Sequence, residues 1–290
     1  MATSKFRILV PIDFSEQSQS AFYQSCNIAQ IYDGELLLLH VIEDEIAAFE
    51  KFSATSISEL TIKIDQRLSK FVEEAIAISK KNVTSKVKFG SVSNMIFETL
   101  QNENFNMIVM GFHSANGDKN KPIGSNSLQV IKQASCQVIT VKDRPLQNDF
   151  KSIILPLDLS KPVSQKVNKT IELAKSWKGS VVNIISVLPQ SDDLKVNAAA
   201  QQLAKIVSEI ESNDIVCNAE IVRMIKGRES VADIVVDYAQ RMRGEMIMII
   251  TRYESGIANR FGSAAQSIIN SIEIPMFSIV PLVNQNSIIH

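Results

Sequence analysis

Short unbroken apolar runs alternate along this chain with stretches in which apolar residues recur every third or fourth position. RILVPI, from Arg7, is rich in β-branched and aliphatic residues and predicts a strand that ends just before Asp13. Ser15 follows where a helix cap is expected, and Ala21, Phe22, Ile28 and Ala29 supply the apolar side of that helix, with Gly34 as its expected stop. ELLLLHVI, from Glu35, is continuously apolar, which predicts a strand buried on both faces. Ile57, Leu60, Ile64, Leu68, Phe71, Val72 and Ala75 then mark a long amphipathic helix. KVKFG predicts a third strand, SNMIFETLQN a shorter helix, MIVMG a fourth strand, SLQVIKQA a last helix and CQVITV a fifth strand. Strands alternating with crossover helices require a mostly parallel sheet with helices on both faces, joined right-handedly.

The plan is stated twice. FRILVPIDFS, from Phe6, is echoed by KSIILPLDLS, from Lys151, so that Pro11, Asp13, Ser15 and Gly34 recur as Pro156, Asp158, Ser160 and Gly179, each 145 positions on. The far end repeats as well: GSNSLQVIKQASCQVITV, from Gly124, corresponds to GSAAQSIINSIEIPMFSIV, from Gly262. Shared spacing at both ends of a unit predicts two duplicated domains, 1–144 and 150–290, with a seam in the polar, proline-containing stretch KDRPLQNDF. A length of 290 residues agrees with two domains of ordinary size. CQVITV and PMFSIV are the apolar candidates for edge strands, which are normally covered.

Charge narrows the partners. Thirty basic and 31 acidic residues leave a formal net charge of −1, so no overall field recruits nucleic acid or an anionic membrane, and an anion site has to be local. No apolar run reaches the roughly 18 residues of a membrane span, and MATSKFRILV lacks an export signal, so a cytoplasmic protein is expected. Cys26, Cys136 and Cys217 are odd in number and far apart, which predicts reduced thiols rather than a disulfide framework. His40, His113 and His290 have no partners at metal-ligand spacing, and no metal site is expected from them.

Open parallel sheets bind ligands outside the carboxyl ends of their strands. In the first domain Asp13 lies just past its strand, His40 and Val41 end the second, Gly111 ends the fourth, and Gly124, Ser125, Asn126 and Ser127 open the last helix. A helix start offers unpaired N–H groups and partial positive charge, both suited to phosphate. The same residues also read as ordinary turn and cap chemistry: Asp13 as a helix-flanking cap, Val41 as core, His113 as solvated loop.

These residues carry a resemblance. ILVPIDFS, LLLLHVI, KFGS and the spacing MG-x2-S-x9-GSNS resemble the universal stress protein family in its tandem form, over Phe6 to about Val283. The resemblance implies two Rossmann-like (adenine nucleotide alpha hydrolase-like) α/β domains. Its nucleotide-binding members carry G-x2-G-x9-G-[ST], and other members bind no ATP. The implied ligand is ATP, ADP or AMP, with or without Mg. Asp13 and Val41, beside Pro11, would then meet the adenosine end. Gly111, His113 and Ser114 would meet the ribose and phosphates, and Gly124, Ser125, Asn126 and Ser127 the phosphate chain. Ser114 stands where the family has its second glycine, which crowds a close backbone approach. The resemblance also implies pairing of the two domains and a homodimer.

The second domain departs further. EMIMII runs into TRYESGIANRFGSAA, so Ile250 or Thr251 replaces the first glycine and Tyr253 or Glu254 the second, and the loop to Gly262 is shorter than nine residues. Asp158, Gly227, Gly262 and Ser263 remain, and a role in pairing, architecture or a different small ligand is expected. Glu254 would oppose phosphate and Arg252 or Arg260 would offset it. No phosphate-transfer or hydrolase motif is present, and Lys119 and Lys121 read as solvated loop, so no enzyme is expected. Two classes stay open: a nucleotide-responsive stress regulator, and a nucleotide-independent interaction or scaffold protein of the same fold.

Overall fold

The structure, a computed structural model, describes residues 5–43, 54–112, 124–142, 150–189, 193–225, 227, 229–250 and 263–280. The chain divides into two compact units, Met1–Asn148 and Asp149–His290. In the first, the strands are β1 (Arg7–Pro11), β2 (Glu35–Ile42), β3 (Val83–Phe89), β4 (Met107–Gly111) and β5 (Gln137–Val141). The helices are α1 (Glu16–Ile31), α2 (Ala54–Ser79), α3 (Val92–Asn102) and α4 (Ser125–Gln133). Strand order is β3-β2-β1-β4-β5, and the pairings that join β1 to β2, β1 to β4, β2 to β3 and β4 to β5 are parallel.

The second unit repeats this order. Its strands are β6 (Ser152–Pro156), β7 (Val181–Pro189), β8 (Val216–Met224), β9 (Met246–Ile250) and β10 (Met276–Ile279). Its helices are α5 (Ser164–Ser176), α6 (Asp193–Glu211), α7 (Val231–Arg241) and α8 (Ser263–Ser271), and the strands run β8-β7-β6-β9-β10. The register is offset by one residue, since Pro11 lies opposite Leu39 and Pro156 opposite Ile185, with Ser180 as an extra residue between Gly179 and β7. The spacing of 145 read along the sequence therefore holds from β1 to β6 and becomes 146 from β2 to β7.

Central strands are covered on both faces, as their unbroken apolar sequence requires. Ile8, Leu9 and Val10 of β1, and Ile153, Ile154 and Leu155 of β6, are fully buried. Each such side chain contributes roughly 1.5–3 kcal/mol relative to exposure. Leu68 and Ala75 form the inward stripe of α2. Among the described residues no helix is long and apolar enough to cross a membrane.

Two local expectations need correction. α1 ends at Ile31, and Asp33 rather than Gly34 takes the left-handed conformation, at φ 51°. Gly34 serves closeness instead: a Cβ there would lie 3.2 Å from the Phe6 carbonyl oxygen, where the chain enters β2. Its repeat partner Gly179 does take a positive φ, 81°. The last helix of the first unit begins at Ser125, two residues before the apolar periodicity becomes visible at Ser127, because its first turn faces the strand ends and carries polar residues.

Candidate functional site at the strand ends of the first unit

The rim is built by the turn after β1. The Ile12 amide still donates to the Leu39 carbonyl (2.8 Å), so β1 and β2 remain paired up to the turn, and Asp13 follows on the exposed side. Its Oδ1 accepts from the Ser15 amide (3.0 Å) and the Ser15 hydroxyl (2.6 Å), while Ser15 Oγ accepts from the Ser18 amide (3.1 Å) and caps α1. The reading of Asp13 as a helix-flanking residue thus describes its carboxylate. The second unit reproduces the turn: Asp158 Oδ1 accepts from the Ser160 amide (3.1 Å) and hydroxyl (2.6 Å). Pro11 and Val41 are half-buried at the adjoining ends of β1 and β2.

β4 brings Gly111 to the same rim. It is buried, and a Cβ at this position would stand 2.7 Å from the Gln17 carbonyl carbon and 2.8 Å from the Ser18 nitrogen. Only a residue without a side chain lets β4 pass so close to the first turn of α1. The glycine expected to admit a ligand is therefore already required by packing.

Above Gly111 lies the start of α4. Gly124 is the N-cap residue, at φ −57° and ψ 143°, with no side chain capping the helix, and its carbonyl accepts from the Leu128 amide (3.1 Å). Ser125 is exposed, Asn126 half-buried and Ser127 buried, with the Ser127 hydroxyl 3.5 Å from the Gly111 carbonyl oxygen. Among the described residues the amides of Ser125, Asn126 and Ser127 have no hydrogen-bond acceptor, which leaves the positive end of a nine-residue helix open. His113 and Ser114 lie outside the described residues.

Sequence reasoning passed over an aromatic cluster beside this rim. Phe14, at φ 65°, stacks on the His40 ring (centroids 4.8 Å apart, 29° between planes). The Arg67 guanidinium sits 4.1 Å from the Phe14 ring centre, and Phe71 packs against both Phe14 (5.8 Å) and Phe22 (4.9 Å). The His40 Nδ1–H donates to the Ile12 carbonyl (2.7 Å), which fixes the tautomer of the neutral ring with Nε2 unprotonated. Burial pushes His40 below its ordinary value, outweighing the Ile12 bond and Asp13, and Arg67 adds to the depression. Phe71 was visible only as one apolar position on α2. Its partner lies on a different element, and periodicity carries no sign of that contact.

In the second unit Ile250 ends β9 where Gly111 ends β4, and α5 starts at Ser164, three residues later in the repeat than α1. Lys161 pairs with Asp158 at 2.9 Å. Arg252, Glu254, Arg260 and Gly262 lie outside the described residues.

Comparison with known proteins agrees with the duplicated plan. The pattern of the Universal stress protein family matches residues 6–142 and again 149–279. A universal stress protein of Staphylococcus aureus (strain USA300) is 26% identical over 146 residues, 50% of this chain and 88% of that protein. The crystal structure of a universal stress protein from Archaeoglobus fulgidus DSM 4304 aligns over 95% of this chain and 98% of its own, with a TM-score of 0.73 and 19% identity. A universal stress protein from Archaeoglobus fulgidus in complex with dAMP aligns over 45% of this chain and 98% of its own, with a TM-score of 0.37 and 21% identity.

Proposed function

Since the chain belongs to the universal stress protein family, matched over both of its units, we propose that it is a nucleotide-responsive stress regulator whose first unit binds an adenine nucleotide. The observation that carries this reading is the open start of α4, whose first three amides face the strand-end rim beside Gly111 and Asp13. Phosphate suits such a helix start through both its hydrogen-bonding capacity and its charge. In this reading the phosphates lie on Ser125, Asn126 and Ser127, and the adenosine lies toward Asp13 and Val41. The protein binds rather than catalyses, with no residue assigned as a catalytic base. It acts in the cytoplasm, and its second unit does not share the nucleotide role. Self-association into a dimer belongs to the same reading.

Nucleotide alters a partner's affinity only through its differential affinity for two states of this protein. The test is thermal melting of the full chain with ATP, ADP, AMP or dAMP, each with and without Mg. Bound nucleotide raises the melting temperature with the logarithm of its concentration over Kd. Asn126→Asp should then act in two directions. A carboxylate at the helix start stabilises the free protein by about 0.3–1 kcal/mol. It also weakens nucleotide binding about fivefold, as expected for like charges a few ångströms apart in water. A melting temperature that none of the four nucleotides moves at millimolar concentration sinks the reading.

One observation favours a second reading. Asp13 and Gly111 both have structural duties in α1, which a nucleotide-independent scaffold of the same fold would need equally. That protein would purify without adenine absorbance and show no response to the four nucleotides.

A further inference from the structure

The second unit contains a cavity of about 770 Å³ at the carboxyl ends of β6, β7 and β9, within the range of small-molecule sites. Its wall includes the repeat position of one member of the aromatic cluster of the first unit. Leu159 stands at the repeat position of Phe14, so a ring that packs in one unit becomes an aliphatic chain lining a cavity in the other, while Ile185 matches Leu39 and Ser186 matches His40. A second change is chemical. Ala21 is fully buried on α1, and its repeat position on α5 is Lys166, which lines the cavity.

The walls are mainly aliphatic, from Leu157, Val187, Ile249, Ile250 and Ile268, and the charged residues among them are Asp158, Lys161, Lys166 and Lys195. Asp158 is engaged by Lys161 (2.9 Å) and by the amide and hydroxyl of Ser160. The Lys166 amine donates to the Pro156 carbonyl, a neutral acceptor, and so carries no ionic partner there. An ammonium has three donors, and among the described residues two are left for a ligand. Lys161 and Lys195 are exposed, whereas the Lys166 amine lies deeper.

We propose that this cavity binds a small monocarboxylate with an apolar body, the carboxylate seated on the Lys166 ammonium and the body against the aliphatic walls. One charge matches one buried amine, and the aliphatic wall offers little to the several charges of a nucleotide. Burial pushes the Lys166 amine down to about 7, against the raising influence of Asp158, which is the behaviour of a cation lacking a counter-ion. A bound carboxylate supplies that counter-ion.

The test is calorimetric titration of the full chain with decanoate, with decanol as the uncharged probe of the same chain length. Decanoate binds at least tenfold more tightly than decanol, a difference of about 1.4 kcal/mol. Lys166→Met retains the apolar stem, still binds decanol and loses the preference for decanoate. In the unsubstituted chain decanoate affinity falls as pH rises through about 7 and Lys166 loses its proton, an arm that needs no variant. Asp158, Lys161 and Lys195 face the same space, so the pH arm is repeated with decanol, whose affinity stays flat. Equal affinities for the two probes, failure of both to bind, or displacement of decanoate by ATP overturns the proposal. Because the Asn126→Asp experiment reads the first unit, either proposal can fail while the other stands.

Discussion

Gly111 lies against the backbone of Gln17 so closely that an added Cβ would fall 2.7 Å from the Gln17 carbonyl carbon. The contact is backbone to backbone and cannot be relieved by turning a side chain. Gly111→Ala should therefore destabilise the protein by about 1–3 kcal/mol, the usual cost of forcing extra volume into a packed interior. Urea unfolding measures it, and a loss below about 0.5 kcal/mol, the range of neutral surface changes, would show that α1 moves aside freely.

The Asp-x-Ser turn is present in both units, yet Ser15 caps a helix and Ser160 does not, since α5 begins at Ser164 after an N-cap at Val163 with no side-chain cap. Ser15→Ala should cost about 1 kcal/mol, as removal of a helix cap does. Ser160→Ala should cost less, because its hydroxyl bonds only the Asp158 carboxylate. Equal losses in unfolding experiments would contradict the difference between the two turns.

Ser125 occupies the first position of α4, where proline fits well, and Gly124 at φ −57° and ψ 143° already has the conformation favoured before proline. Ser125→Pro should thus leave the melting temperature within a few degrees of the original while deleting one open amide. If nucleotide lies on this helix start, its affinity drops severalfold, the scale of one hydrogen bond to a charged group. Unchanged nucleotide affinity in the intact variant would move the phosphates elsewhere.

His40 is held neutral by burial, its titration lying below the ordinary value. The unfolded chain takes up that proton first as pH falls. Its contribution is present above the unfolded value near 6.5 and is lost progressively as pH drops through it toward the folded value. His40→Phe keeps a ring against Phe14 but gives up the bond to Ile12, so it should lower stability at pH 7 and flatten the decline between pH 7 and the onset of general acid unfolding. Denaturant melts at several pH values report both effects, and an unaltered decline would assign the proton uptake to another group.

The alternation of elements was legible because each crossover helix carries its own periodicity and each central strand is an apolar run, as ELLLLHVI and MIVMG illustrate. The duplication was legible because Pro11, Asp13 and Ser15 recur at constant spacing. Gly34 and Gly111 were visible as glycines, but their packing duties were not, since the atoms that demand them, in Phe6 and Gln17, belong to other elements. The cavity of the second unit was hidden for the same reason. Its wall joins Leu159, which stands instead of Phe14, to Val187 and Ile250, and only the fold brings those distant positions together.

The position of β1, between β2 and β4, bears on how the protein is made. As synthesis proceeds from the amino end, β1 can pair with β2 early but keeps one edge open until Met107 to Gly111 have emerged. β6 waits in the same way for Met246 to Ile250. Each half thus draws both neighbours of its central strand from its own residues, so the first can complete its sheet centre while the second is still being translated.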